Sequence, residues 1–152
     1  MQDLEKQDLA KIEVLKSAKN IAILGLSPDE SKASNAVAKY LLTQGYNVIP
    51  IYPKIPSNGE ILGKKAFLSL QEAFSQNAKI DILNIFRKSE ALEEVAQEII
   101  VLDNKPKCVW VQLGLSNARA KEMIEGAKIF YEENSCIKIE HKRLLKPNRG
   151  SQ

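Results

Sequence analysis

The stretch Ile21-Ala22-Ile23-Leu24-Gly25-Leu26-Ser27-Pro28-Asp29-Glu30-Ser31-Lys32-Ala33-Ser34 decides the fold. An apolar run stops at a glycine, a polar loop follows, and a helix-forming segment begins. Strand, turn and helix in that order open a β-α-β unit. Such a turn sets helix amides beneath an anion, because free N–H groups and the positive helix end favour negative charge. Gly25 would let a ligand approach the backbone, Ser27, Ser31 and Ser34 would add hydroxyls, and Lys32 would add a charge. On this evidence alone, a glycine after a strand is a structural turn about as often as a phosphate cradle.

The same alternation continues along the chain. Short apolar segments rich in Ile and Val recur at 20–25, 47–51, 80–86, 107–113 and 128–132, the composition of strands buried on both faces. Between them, 34–43 carries Ala36, Val37, Tyr40 and Leu41 at helical spacing, with Gly45 as its stop signal. The segment 89–102 repeats the pattern with Leu92, Val95, Ala96 and Ile99. A helix from Asn117 to about Ala127 turns Ala120, Met123, Ile124 and Ala127 inward. Leu4, Asp8, Ile12 and Leu15 mark an opening helix over 4–18, and another helix follows Ser135 or Cys136. The irregular segment 53–70, broken by Pro53, Pro56, Gly59 and Gly63, ends where Ser69 would cap a short helix. The expected fold is α/β: a Rossmann-like, doubly wound, mainly parallel five-stranded sheet with helices on both faces. It forms one domain over 1–152, with an amino-terminal helix to residue 18 and a flexible tail from 146 that includes Arg149.

Composition narrows the function classes. A chain of 152 residues, 44% hydrophobic, buries roughly two-thirds of its unfolded surface in one core. Apolar runs fall short of the roughly 20 residues that span a bilayer, and the opening Met1-Gln2-Asp3-Leu4-Glu5-Lys6 does not read as a secretory leader, so no membrane and a cytoplasmic location are expected. Cys108 and Cys136 lack the spacing of a zinc or redox pair. A net charge of +3 suits an anionic ligand and is too balanced to imply nucleic acid.

The loop is not G-x-G-x-x-G, and the second strand runs Val48-Ile49-Pro50-Ile51-Tyr52-Pro53-Lys54 without the acidic residue that holds an adenine ribose in NAD sites. Lys54 would attract a phosphate instead. The third strand ends Phe86-Arg87-Lys88-Ser89 and the fourth Trp110-Val111-Gln112-Leu113-Gly114. Phe86 would stack on a ring, Arg87 would pair with phosphate or with a surface carboxylate, and Gln112 would bond a polar group. Trp110, inside its strand, reads as core.

Together with Gly45-Tyr46-Asn47-Val48-Ile49-Pro50-Ile51-Tyr52-Pro53 and Cys136-Ile137-Lys138-Ile139-Glu140-His141-Lys142-Arg143-Leu144, these strand-end motifs resemble the stand-alone CoA-binding protein family. That family is similar to the CoA-binding domain of the succinyl-CoA synthetase α-subunit. The resemblance implies that Gly25, Leu26 and Ser27 line a CoA diphosphate, that Lys54 after Pro53 sits near the phosphates, and that Phe86, Arg87 and Ser89 border the adenosine or pantetheine. Lys32, Ser34, Gln112 and Gly114 complete the expected site. The synthetase's phosphohistidine and second domain have no matching segment, so the expected function is binding CoA or an acyl-CoA without catalysis. The alternatives are an NAD(P)-dependent or acyl-CoA-handling enzyme on the same fold, and a sensing subunit with a protein partner or a second copy. His141, among Glu140 and Arg143, reads as part of a structural cluster, and Cys136 at a helix start as a thiol open to a mixed disulfide with CoA.

Overall fold

Five strands form one parallel sheet in the computed structural model, which describes residues 2–146; Arg149 and the rest of the expected tail beyond Lys146 lie outside the described residues. Strands β1 (Asn20–Leu24) and β2 (Asn47–Ile51) pair in register from Asn20↔Asn47 to Leu24↔Ile51. A two-residue pair, β3 (Glu60–Ile61) and β4 (Lys64–Lys65), forms a separate antiparallel hairpin. Then come β5 (Ile82–Ile85), β6 (Cys108–Val111) and β7 (Phe130–Glu132), and the main sheet has the order β2-β1-β5-β6-β7.

Chain direction across the sheet reverses after β2, and right-handed crossovers then require the connecting helices to change face. Helix α2 (Ala33–Thr43), between β1 and β2, shares one face with α1 (Gln2–Ser17) and α6 (Ile137–Leu144). On the other lie α3 (Leu70–Gln76), α4 (Leu92–Ile100) and α5 (Ala118–Gly126). The strands serve both layers by alternation. Ile21, Ile23, Ile82, Cys108 and Trp110 pack under α1, α2 and α6, whereas Ala22, Leu24, Leu83, Ile85, Val109 and Val111 pack under α3, α4 and α5. This is the doubly wound α/β architecture the apolar periodicity implies.

Helix ends explain several boundaries. Gly45 (φ 93°) follows α2 in the left-handed conformation, and the bonds Gly45 N–H to Leu42 O (3.1 Å) and Tyr46 N–H to Leu41 O (3.2 Å) close a Schellman motif. Lys128 (φ 63°) does the same after α5, with Ile129 N–H donating to Ile124 O (3.3 Å). The chain turns there, so the last strand starts at Phe130 rather than at 128. The expected helix over 89–102 is split: Ser89–Ala91 forms a 3-10 turn before α4. Ser89 Oγ accepts from Ser116 N–H (3.1 Å) and Ser89 O from Asn117 Nδ2 (3.0 Å), which ties the turn to the next loop. Among the described side chains of α1 the buried ones are Lys11 and Leu15, with Ala18 just beyond, while Asp8 and Ile12 are half-buried; the Leu4 side chain lies outside the described ones.

The segment after β2 is more ordered than its prolines suggest. Leu62 (φ 55°) and Gly63 (φ 74°) both take positive φ, the requirement of a two-residue type I′ hairpin turn. Phe67 N–H then donates to Pro50 O (2.9 Å) and Tyr52 N–H to Phe67 O (2.9 Å), stitching the excursion back onto the edge of β2. Ser69 caps α3 as expected, its side chain accepting from Glu72 N–H (3.1 Å).

Candidate functional site

In a doubly wound sheet ligands bind outside the carboxyl ends of the strands where the strand order reverses. Here that point lies between β1 and β5, the two strands that run into Gly25 and Phe86. Gly25 has φ +92°, and a Cβ built on it would stand 2.4 Å from Phe86 O. The close neighbour that only glycine admits is therefore the backbone of the adjacent loop.

The loop 25–34 is braced from within. Gly25 and Leu26 N–H both donate to Ile51 O (2.9 and 3.3 Å), and Ser27 N–H donates to Ser34 Oγ (3.0 Å). Ser27 Oγ accepts from Asp29 N–H (3.1 Å), and Asp29 takes both Ser31 N–H (2.9 Å) and Ser31 Oγ (2.8 Å). These bonds hold the Asp29 carboxyl below its usual pKa and turn its charge into the loop. Leu26 is fully buried in the core. The amides of Gly25, Leu26 and Ser27, the residues expected to line a diphosphate, are thus already committed within the fold. The donors left for an anion are the first-turn amides of Ala33 and Ser34, which have no acceptor among the described residues, and the O–H groups of Ser27 and Ser34.

Four cations lie on the loops that follow β1, β2 and β5 at this edge of the sheet. Lys32, Lys54, Arg87 and Lys88 are exposed, and among the described residues none forms an ion pair. The surface pair expected as the bland reading of Arg87 is absent from that set. Pro53 is exposed beside Lys54, and Phe86 is half-buried against the α1/α2/α6 layer.

The loops after β6 and β7 are sewn to this edge. Gly114 (φ 88°) donates its N–H to Asn134 Oδ1 (2.7 Å), Asn134 N–H returns to Leu115 O (3.0 Å), and Trp110 Nε1 donates to Ser135 O (3.2 Å). Ser89 and Gly114 therefore act as loop braces in this geometry. Asn117 caps α5, accepting from Ala120 N–H (2.9 Å). Gln112 is half-buried, and its Oε1 is buried without a hydrogen-bond partner among the described residues. Sequence reasoning missed two further such acceptors, Asn35 Oδ1 in the first turn of α2 and Asn84 Oδ1 on β5. An asparagine within an otherwise Ile- and Leu-rich strand was the available signal for Asn84.

Two singled-out residues stand elsewhere. His141 is buried, its Nδ1 is 2.7 Å from Tyr40 OH, and its ring meets those of Tyr40 and Tyr46 edge-on. Burial lowers its pKa, raises that of Tyr40 and pushes that of Tyr46 up to about 12, so a neutral phenol and a neutral imidazole share the Tyr40–His141 hydrogen bond. Beside it Lys11 Nζ reaches Glu140 (2.9 Å) and Glu132 (3.0 Å), and Arg143 bridges Asp8 (2.7 Å) and Glu140 (2.8 Å). This is the structural cluster expected there. Cys136 is only 8% exposed and packs in the core with Trp110 and Ile137, a position that counts against ready disulfide exchange. Cys108 is fully buried, which raises its thiol pKa.

The chain and its fold have known relatives. A family model described as the CoA binding domain matches residues 19–142. An uncharacterized protein of Bacillus subtilis (strain 168), YneT, is 37% identical over 141 residues, covering 93% of this chain and 97% of the relative. The structure of cell-free ID.343 from Thermus thermophilus superposes with a TM-score of 0.82 at 33% identity, over 91% of this chain and 98% of that one. A hypothetical protein from Pyrococcus horikoshii OT3 gives a TM-score of 0.80 at 33% identity, over 90% and 91%. The family match runs from the residue before β1 into α6 and so includes every strand of the main sheet and each loop at its carboxyl edge: the chain belongs to the CoA binding domain family.

Proposed function

We propose that this protein binds coenzyme A or an acyl-CoA at the carboxyl edge of its sheet and works as a binding module without catalysis of its own. The observation that carries the reading is the set of cations with no ion pair among the described residues, Lys32, Lys54, Arg87 and Lys88, on the loops at the sheet edge where α2 begins. CoA brings three phosphate groups to such a place, and a helix end with nearby cations is the environment that stabilises them. The donor set fits the ligand's polar half, and Phe86 offers a flat apolar surface beside it. The second strand is followed by Tyr52-Pro53-Lys54, which favours a phosphate over the free ribose hydroxyls of NAD.

In this reading the helix amides and the Ser27 and Ser34 hydroxyls orient the diphosphate, Lys32, Lys54 and Arg87 neutralise charge, and the backbone contact between Gly25 and Phe86 keeps the two loops in register. Described residues contain no helix long and apolar enough to cross a membrane and no group of three or more His, Cys, Asp or Glu side chains that could hold a metal. Two unbridged cysteines suit a reducing compartment, and we infer the cytoplasm.

Thermal unfolding with CoA, acetyl-CoA, NAD and NADP in turn tests the proposal. A specific ligand at a hundred times its dissociation constant adds about 2.7 kcal/mol, a rise of roughly 5–10 °C for a chain of this size. A rise with CoA or acetyl-CoA and not with NAD or NADP is expected. No shift with either thioester carrier would end the proposal, and a shift with NADP alone would favour the reductase reading.

A further inference from the structure

Three helices of one layer end over the amino edge of the sheet: α1 at Ser17, α2 at Thr43 and α6 at Leu144. Among them lies a cavity of about 340 Å³, placed where the chain enters β1 and β2. Buried Leu15 and Tyr46 line it together with His141, and Lys16, Lys19 and Lys146 stand exposed around it. The CoA reading leaves this place unused. Its loops follow β1 and β2, and the five residues of β1 set the two edges about 16 Å apart.

The charge of the cavity is one-sided. No acidic side chain lines it among the described residues, and none of its three lysines forms an ion pair within that set. Helix carboxyl ends attract cations, so part of this charge answers the fold itself. The magnitudes do not match, however, because each helix end carries about half a negative charge against one full positive charge per lysine. The helix carbonyls are also occupied. Tyr46 O–H donates to Leu15 O, Tyr46 and Gly45 N–H donate to Leu41 and Leu42 O, and Leu145 N–H donates to His141 O. A surplus of donors and of positive charge remains.

His141 is an observation independent of the lysines. It is only 5% exposed yet lines the cavity; its Nδ1 shares a hydrogen bond with Tyr40 OH, and its Nε2 has no partner among the described residues. With Tyr40 O–H donating to Nδ1, the imidazole proton sits on Nε2. An unpaired donor in so buried a ring is costly, and an acceptor from outside relieves it. We propose that this cavity is a second ligand site, for a compact anion of two or more charges, a phosphate compound or a polycarboxylate. His141 Nε2–H is the fixed donor, and Lys16, Lys19 and Lys146 neutralise the charge. The volume stands at the lower end of the range for small-molecule sites, which selects a small ligand. The inference is independent of the CoA reading.

His141 is the only histidine in the sequence, so one set of imidazole NMR signals reports on the cavity. The probes are pyrophosphate, citrate and chloride, added at constant ionic strength and slightly alkaline pH, where the ring is neutral. Pyrophosphate, citrate or both should shift the signals saturably, with a dissociation constant of about 1 mM or below, and chloride should not. The active probe identifies the class: phosphate, carboxylate or either. Lys16→Gln combined with Lys19→Gln, both at exposed positions, should weaken that binding about tenfold. Lys121→Gln combined with Lys128→Gln removes the same charge from α5 and its end, on the other face of the sheet, and should change it less than twofold. Absence of a saturable shift with both multivalent probes overturns the proposal. So does unchanged affinity in the first pair of variants, or equal weakening in the two pairs, which would reduce the effect to attraction by overall charge.

Discussion

The seam where α1 crosses α6 and the carboxyl edge of the sheet both carry dense polar groups, but they treat them in opposite ways. At the seam Lys11 is only 8% exposed, yet two carboxylates reach it, Arg143 has two acid partners, and His141 has a phenol. At the edge, four cations are unpaired and three buried carbonyls have no donor among the described residues. Burying a charge without a partner costs far more than a surface pair returns, so a fold completes what it needs for itself. The proposed CoA site rests on the cations left incomplete at the edge.

Gly25→Ala attacks the edge at its base and should have the largest effect. The new Cβ meets a backbone carbonyl at 2.4 Å and the residue must hold φ +92°, so the loops after β1 and β5 have to separate. Backbone strain and overpacking together amount to about 3 kcal/mol. Calorimetric melting should fall by roughly 6–12 °C, and CoA-dependent stabilisation should disappear with it. A variant that melts like wild type would show that the two loops are not locked to each other.

Lys11→Met attacks the seam. Burial opposes the lysine's charge, but Glu140 and Glu132 together outweigh it and raise its pKa, and removing the ammonium leaves both carboxylates without that partner. The expected cost is about 2–3 kcal/mol, somewhat below the range for a fully buried pair. Chemical denaturation measures it, and the CoA dissociation constant should stay within twofold. Loss of CoA affinity at equal stability would erase the contrast between the two regions.

The two regions also differ in how far their sequences disclose them. Strand positions and the face of each helix followed from the spacing of residues such as Leu92, Val95, Ala96 and Ile99, because burial on a helix repeats every three to four residues. Gly45 announced the end of α2, since glycine favours the left-handed turn, whereas Lys128 fills the same role after α5 against its propensity and gave no sign. The hairpin at Leu62-Gly63 was hidden for a similar reason: leucine is an unusual first residue for a turn that needs two positive φ values. At the edge, the glycine loop and Arg87 were visible as residue types. That the amides of Gly25, Leu26 and Ser27 would be spent inside the fold was not, because hydrogen-bond partners such as Ile51 O and Ser34 Oγ come from tertiary contact. That Asn84 would be buried between β1 and β6 was hidden for the same reason, because strand pairing is set by tertiary contact.

The smallest expected effect concerns pH, and it belongs to the seam alone. Burial lowers the pKa of His141, and Lys138 and Lys142, whose ammonium groups lie 5.8 and 5.3 Å from the Tyr40 ring centroid, add positive charge nearby. Between its folded value and the ordinary 6.5, the unfolded chain binds a proton that the folded chain does not, so stability rises with pH through that window. It is fully present above 6.5 and declines below it, by at most about 2 kcal/mol at pH 5 for one proton. His141→Gln keeps a hydrogen-bonding group for Tyr40 OH without a titrating ring, and its urea midpoint should vary less with pH than that of wild type from pH 7 to 5. Below the usual carboxylate range both proteins should lose stability together, because Arg143 depresses the pKa of Asp8 and of Glu140, the latter with help from Lys11, and acid removes those charges. Equal slopes for the two proteins between pH 7 and 5 would mean that the imidazole is protonated as readily in the fold as outside it, and the seam would then hold a charge that its neighbours do not complete.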